Sequence, residues 1–258
     1  MLRLFRIDTP RKREATHLEV SHAGEGYRVA LKRVSGARRF TLRVRSATRD
    51  VVLTMPPRSS LSSAREFVER HAAWIGARLN RLPSPVPFES GAVVPLRGVN
   101  HVILHQPDKR GNVWIEAGVA VSLEAENVIC VACDAAHVSR RVRDFLQREA
   151  RKDLDAAVRK HTSAIGVAAR RVTIRDTVSR WGSCSASGAL NFSWRLVLAP
   201  PFVLDYLAAH EVAHLMHLNH SPKFWTIARR LSPDTDRAEA WLKAHGASLH
   251  RFGSGELE

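Results

Sequence analysis

The stretch Pro201-Phe202-Val203-Leu204-Asp205-Tyr206-Leu207-Ala208-Ala209-His210-Glu211-Val212-Ala213-His214 carries apolar residues at helical spacing, with no Gly and no interior Pro to break it. Pro201 stands in a first turn, where backbone N–H groups have no helical partner anyway. The end of the run spells H-E-x-x-H. Positions i and i+4 share one helix face, so His210 and His214 can present two imidazoles to a single Zn²⁺. Glu211, one residue along, is placed to take a proton from a metal-activated water without ligating the metal. A mostly apolar helix is a buried helix, and charge buried in it needs a partner such as a metal ion. The competing reading is a core helix with incidental histidines.

The third ligand has to come from elsewhere. His217 shares the face of His210, but seven residues of helix rise about 10 Å, too far for one ion. Asn219-His220-Ser221-Pro222 reverses the chain, with Ser221 as N-cap and Pro222 as first residue of a new helix. His220 at that mouth is the third candidate, and Asp234, Asp236 and Glu239 compete with it. Three protein ligands leave the fourth position open, as a catalytic zinc site requires. The expectation is one Zn²⁺ per chain.

Further motifs extend the pattern: Arg180-Trp181-Gly182-Ser183-Cys184, Gly188-Ala189-Leu190-Asn191-Phe192, and Asn219-His220-Ser221-Pro222-Lys223-Phe224-Trp225. With the H-E-x-x-H helix they resemble the YgjP-like metallopeptidase family, relatives of the SprT-like zincins, densely over 140–245 and more loosely before. The resemblance implies a minimal zincin fold, a metal held by His210, His214 and His220, and Glu211 as general base. It leaves the substrate open.

Residues 173–176 read as a short strand, 180–188 as a tight loop, and 190–199 as a strand rich in aromatic and β-branched residues. In a zincin the strand before the metal helix borders the cleft and can pair with an extended substrate. Arg180, Trp181, Ser183, Asn191 and Arg195 are therefore the substrate-binding candidates. Their competing reading is structural: Trp181 and Trp194 in the core, Gly182 and Gly188 in turns, Arg180 in an ion pair. Trp225 reads as packing.

Three cysteines in 258 residues and no apolar leader-like run point to a reducing cytoplasm. No run approaches a membrane span. Cys130-x-x-Cys133 with His137 could ligate a second zinc, but there is no second C-x-x-C, and 128–133 reads as a buried strand.

The organisation expected is α+β. A basic tail (1–19) precedes a β-rich region (20–137) with one helix at 60–79 and a proline linker at 83–87; turns are expected at Arg97-Gly98, 108–111 and Ala117-Gly118. A long basic helix, 138–165, opens a zincin-like region (138–258) with a small mixed sheet and the metal-binding helix. The net charge is +15. Residues 28–49 hold eight Lys or Arg and no acid, and residues 138–195 hold thirteen against five acids. Such clusters either attract nucleic acid, nucleotides or acidic substrates, or are simply solvated faces. Three functions compete: a zinc peptidase acting on a peptide or protein; a zinc hydrolase of nucleoside triphosphates or similar phosphorylated compounds; and a SprT-like protease recruited to nucleic acid. Oligomeric state is open.

Overall fold

The computed structural model describes residues 16–46, 48–122 and 125–254. The expected N-terminal tail falls mostly outside them, and its last residues belong to a strand. Cα packing divides the chain between Leu82 and Pro83 into two compact units.

In the first unit β1 (His17–His22), β2 (Glu25–Arg33), β3 (Thr41–Val44) and β4 (Val51–Met55) form a sheet of order β1-β2-β4-β3. β1 and β2 make a hairpin whose turn residues, Ala23 and Gly24, have φ of 50° and 83°. Two positive φ values match the strand twist in a two-residue turn, and an alanine there gives the sequence no turn signal. One face of the sheet buries Leu18, Val20, Tyr27, Val29, Val51, Leu53 and Met55 against Ala64, Val68, Ala72 and Ile75. Those last four lie on α1 (Leu61–Arg70) and α2 (Ala72–Asn80). The single helix expected at 60–79 is thus two helices, broken at His71 (φ −106°, ψ 7°). The His71 ring stacks on Phe67 with centroids 4.3 Å apart.

The second unit opens with β5 (Val93–Leu96), β6 (Val99–His105), β7 (Val113–Ser122) and β8 (Ala125–Val131), in order β5-β6-β8-β7. Arg97-Gly98 turns the chain as expected, but Ala117-Gly118 does not. There β7 continues and the ladder slips between Ala117 and Ser122, with Gly118 at φ 73°, as a bulge allows. These strands share one core with the C-terminal helices: Phe88, Val94, Ile103 and Ile129 pack in a cluster with Leu146, Leu154, Leu204 and Leu207. The sequence reading grouped them with the N-terminal strands, because short strand patterns do not show which core they enter.

α3 (Val138–Ile165) spans the expected basic helix and stops at Gly166 in the left-handed conformation (φ 66°). A three-stranded sheet follows: β9 (Arg171–Arg175), β10 (Gly182–Cys184) and β11 (Ala189–Ser193), in order β10-β11-β9. β10 lies inside the segment expected to be a loop. The strand expected over 190–199 ends at Ser193, where a 3-10 helix, Trp194–Leu198, buries all five of its residues. A run that is apolar on every side has no period to separate the two conformations. Next come α4 (Pro201–Ala213), α5 (Pro222–Leu231), α6 (Thr235–His245) and a 3-10 helix, Gly246–Arg251. The fold is α+β. Among the described residues no helix is long and apolar enough to cross a membrane.

Candidate metal centre

α4 is apolar around nearly its whole circumference and packs against α3, β10, α5 and α6. That burial holds its last turn still, and the last turn carries His210 and Glu211, with His214 as its C-cap. The chain then reverses as expected. Ser221 caps α5, its hydroxyl accepting the Phe224 N–H at 3.4 Å, and Pro222 is the first helical residue. His220 is thereby returned to His210, with their Nε2 atoms 3.1 Å apart. One ring nitrogen from each of His210, His214 and His220 lies within 4.8 Å of the others. Among the described residues this is the one cluster of three or more potential metal ligands. The competing acids are occupied elsewhere: Asp234 pairs with Arg237 and Asp236 with Arg229.

Glu239 has a different task. Its carboxylate accepts the Tyr206 hydroxyl proton at 2.7 Å, and the same hydroxyl oxygen lies 3.3 Å from His210 Nδ1. With its proton committed to Glu239, that oxygen can only accept, which places the imidazole proton of His210 on Nδ1. His214 Nδ1 donates to the His217 carbonyl at 2.9 Å. Both rings therefore turn an Nε2 lone pair inward, the arrangement second partners impose on metal-binding histidines. Phe224, fully buried, stacks on His214 (4.4 Å between centroids) and meets His210 and His220 edge-on. Trp225 packs as expected, its ring stacked on His220 at 5.7 Å.

The donor set fits a metal. Two nitrogens, each ~2.1 Å from a tetrahedral zinc, stand about 3.4 Å apart; the His210 and His220 nitrogens are 3.1 Å apart and all three lie within 4.8 Å of one another. Burial lowers the pKa of His210 to about 4, helped by the neighbouring charges of His214 and His220, and burial also lowers that of His214. Near neutral pH both are the unprotonated imidazoles that a metal requires.

Glu211 is buried, and burial pushes its carboxyl up to about 7 against the opposing charge of Arg180. The reason it fits is Gly182. A Cβ built on Gly182 would stand 2.5 Å from Glu211 Oε1, 2.8 Å from Cγ and 2.9 Å from Cδ. The glycine read as a turn residue is a strand residue that lets the carboxylate lie against β10, the usual meaning of Gly inside a strand. Gly188, by contrast, is a turn residue (φ 77°).

The substrate-binding candidates divide. Arg180 is exposed and lies near enough to Glu211 to act on its charge. Trp181 is half-buried, stacked on His250 at 5.0 Å and against Gly246. Ser183 and Asn191 are paired across β10–β11, on the face opposite the one Gly182 turns to Glu211. Arg195 is withdrawn altogether. It is 7% exposed, binds Asp176 through two nitrogens (2.7 and 3.1 Å), and donates to the carbonyls of Leu249 and Phe252. Its guanidinium ties the C-terminal segment to the core. Sequence reasoning missed Tyr206, Phe224 and Gly182. The signals were a tyrosine four residues before His210, an aromatic just after the Ser-Pro cap, and a glycine beside strand residues.

A family model described as YgjP-like, metallopeptidase domain, matches residues 38–245. Among solved structures, the metallopeptidase zymogen of Pyrococcus abyssi abylysin is similar at 20% identity and a TM-score of 0.33, over 38% of this chain and 97% of that one. No curated protein matches the chain.

Proposed function

The chain belongs to the YgjP-like metallopeptidase domain family, and on that premise we propose that it is a zinc-dependent peptidase with Glu211 as general base. The observation that carries this reading is the convergence of three imidazoles beside a buried carboxylate. His210, His214 and His220 would hold the ion, and imidazole donors in a three-ligand set suit zinc. When bound, zinc supplies Lewis acidity toward a carbonyl and toward water.

The remaining chemistry is done by the chain. A carboxyl with a pKa near neutrality is matched to moving a proton in both directions. Glu211 takes a proton from the attacking water onto its carboxylate and delivers it to the departing amine nitrogen. Arg180 favours the ionised carboxylate that begins this cycle.

β10 is the edge of its sheet. Ser193 N–H donates to Trp181 O, and Ser185 N–H to Ala189 O, so the alternation turns the backbone groups of Gly182 and Cys184 outward. An extended peptide could add to that edge as a further strand, next to Glu211. A triphosphate would need several cations, and Arg195, one of the two arginines that reading calls on, is buried against Asp176. This favours a peptide over a nucleotide substrate.

The test compares zinc-loaded wild type and Glu211→Gln on an unfolded protein and on nucleoside triphosphates. Peptide-bond cleavage should fall on the order of 10²–10⁴-fold in the variant, with zinc retained. Turnover of triphosphates with no peptide cleavage would overturn the peptidase reading, and an unimpaired variant would overturn the role of Glu211. His220→Ala should lose zinc in elemental analysis.

A further inference from the structure

Among the described residues, the first unit's sheet has helices on one face only, and its other face is strongly basic. The alternation that buries Val29, Leu53 and their neighbours turns His17, Glu19, Arg28, Ala30, Lys32, Thr41, Arg43, Arg45, Asp50, Val52 and Thr54 the other way. The register sorts these residues into rows. Glu19, Arg28, Asp50 and Arg45 form a mixed row at one end. The next row, His17, Ala30, Val52 and Arg43, has no acid, nor does the row of Lys32, Thr54 and Thr41. Arg38 and Arg39 lie on the loop joining β2 to β3, at that acid-free end.

Lys32, Arg38, Arg39 and Arg43 are all exposed, and none is in an ion pair among the described residues. Several other cations are committed. Arg33 donates to the Pro57 and Ser59 carbonyls, and on α3 Arg141 bonds Asn112, Arg143 bonds the Gly253 carbonyl and Arg151 bonds the Val172 carbonyl. Four uncompensated cations at one end of an open sheet are unfavourable to one another unless an anion sits among them.

From this we propose that the open face of the N-terminal sheet binds the phosphodiester backbone of nucleic acid. The spread of charge favours a chain polyanion. Lys32 and Arg43 stand on strands separated by β4, two interstrand spacings or about 10 Å apart, and Arg38 and Arg39 stand on the loop beyond, so the four charges are spread over two strands and a loop as a run of phosphates would need. No Phe, Tyr or Trp lies on this face among the described residues, so bases have no stacking platform and sequence is not read. The surface is made by the first unit alone and does not depend on the peptidase reading.

The test is fluorescence anisotropy with the full chain and labelled 20-residue single-stranded DNA, single-stranded RNA and duplex DNA. With about four phosphates neutralised, the log–log salt slope should be near −3, an affinity loss of about 50-fold between 50 and 200 mM salt. Replacing Lys32, Arg38, Arg39 and Arg43 together by Gln should flatten the slope toward zero, with zinc content unchanged. Two double variants, Lys32→Gln/Arg43→Gln and Arg38→Gln/Arg39→Gln, should each remove about half of it. The triple variant Arg148→Gln/Lys152→Gln/Arg159→Gln on α3 should keep the wild-type slope. No binding at 50 mM salt, wild-type binding by the folded quadruple variant, or equal affinity for poly-glutamate would each overturn the proposal. The wild-type slope stands as a test even if a variant fails to fold.

Discussion

Replacing Gly182 by Ala should impair turnover while leaving the metal and the fold in place. Gly182 has an ordinary strand φ, so alanine meets no backbone strain there, and loss of glycine's freedom in the unfolded chain favours the variant by about 0.4–1 kcal/mol. The damage is local. The added Cβ would stand 2.5 Å from Glu211 Oε1, where ordinary contact begins at 3.4 Å, so the carboxylate must retreat by about 0.9 Å, the difference of the two. A misplacement of ~1 Å costs on the order of 10²-fold in rate, or about 2.7 kcal/mol at the transition state. Crowding the buried pair costs a further ~1–3 kcal/mol of stability, partly offset by the backbone gain. The assay measures kcat on an unfolded protein, zinc content and urea midpoint together. Expected are a kcat about 100-fold lower, full zinc and a net stability loss no greater than ~2–3 kcal/mol. A zinc-loaded Gly182→Ala protein turning over at the wild-type rate would refute the reasoning, because the carboxylate could then not depend on that space.

Tyr206→Phe removes the hydroxyl that orients His210, and chelator competition should show zinc held about 10–100-fold more weakly, with Glu239→Gln moving the same way. Arg195→Met strands Asp176 and frees the C-terminal carbonyls. Because Asp176 is 44% exposed, the loss should be about 2–3 kcal/mol by urea unfolding, below the range for a fully buried pair, with zinc and kcat kept. His250 is buried under Trp181, and its pKa is lowered to about 4 by burial first and the Arg195 charge second, against the pull of Asp176. A histidine kept neutral in the fold supports stability above its unfolded pKa of 6.5, and that support is lost as pH falls from there toward about 4. The ceiling is about 3 kcal/mol. Urea midpoints at pH 7 and pH 4.5 should converge in His250→Gln relative to wild type; an equal acid loss in both would remove His250 as a cause.

The first-neighbour chemistry was legible because it is local in the chain. His210 and His214 are one helical turn apart, Glu211 is between them, and Ser221-Pro222 announces the reversal that returns His220, so periodicity and capping suffice. α3 was legible for the same reason, with 28 residues of one period ended by Gly166. Where local signals fail, so did the reading. The Ala23-Gly24 turn, the break at His71 and the three-residue β10 carry too little pattern to mark an element, and the apolar run after Ser193 fits strand and helix equally.

Other features are set by distances between residues far apart in sequence. Glu239 reaches Tyr206 across 33 positions, Gly182 makes room for Glu211 across 29, and Asp176 with the C-terminal carbonyls draws Arg195 away from the cleft. The first two depend on which faces of β10, α4 and α6 meet, the third on how the 3-10 helix Trp194–Leu198 meets the C-terminal segment, and long-range packing alone decides that. The sequence by itself determined which residue types carry the chemistry and on which helix. Tertiary structure decided how deeply Glu211 is buried, which carboxylate bonds Tyr206 beside His210, and which arginine stays exposed near Glu211. Side-chain charge is written in the chain, but its environment is made only when distant segments close around it.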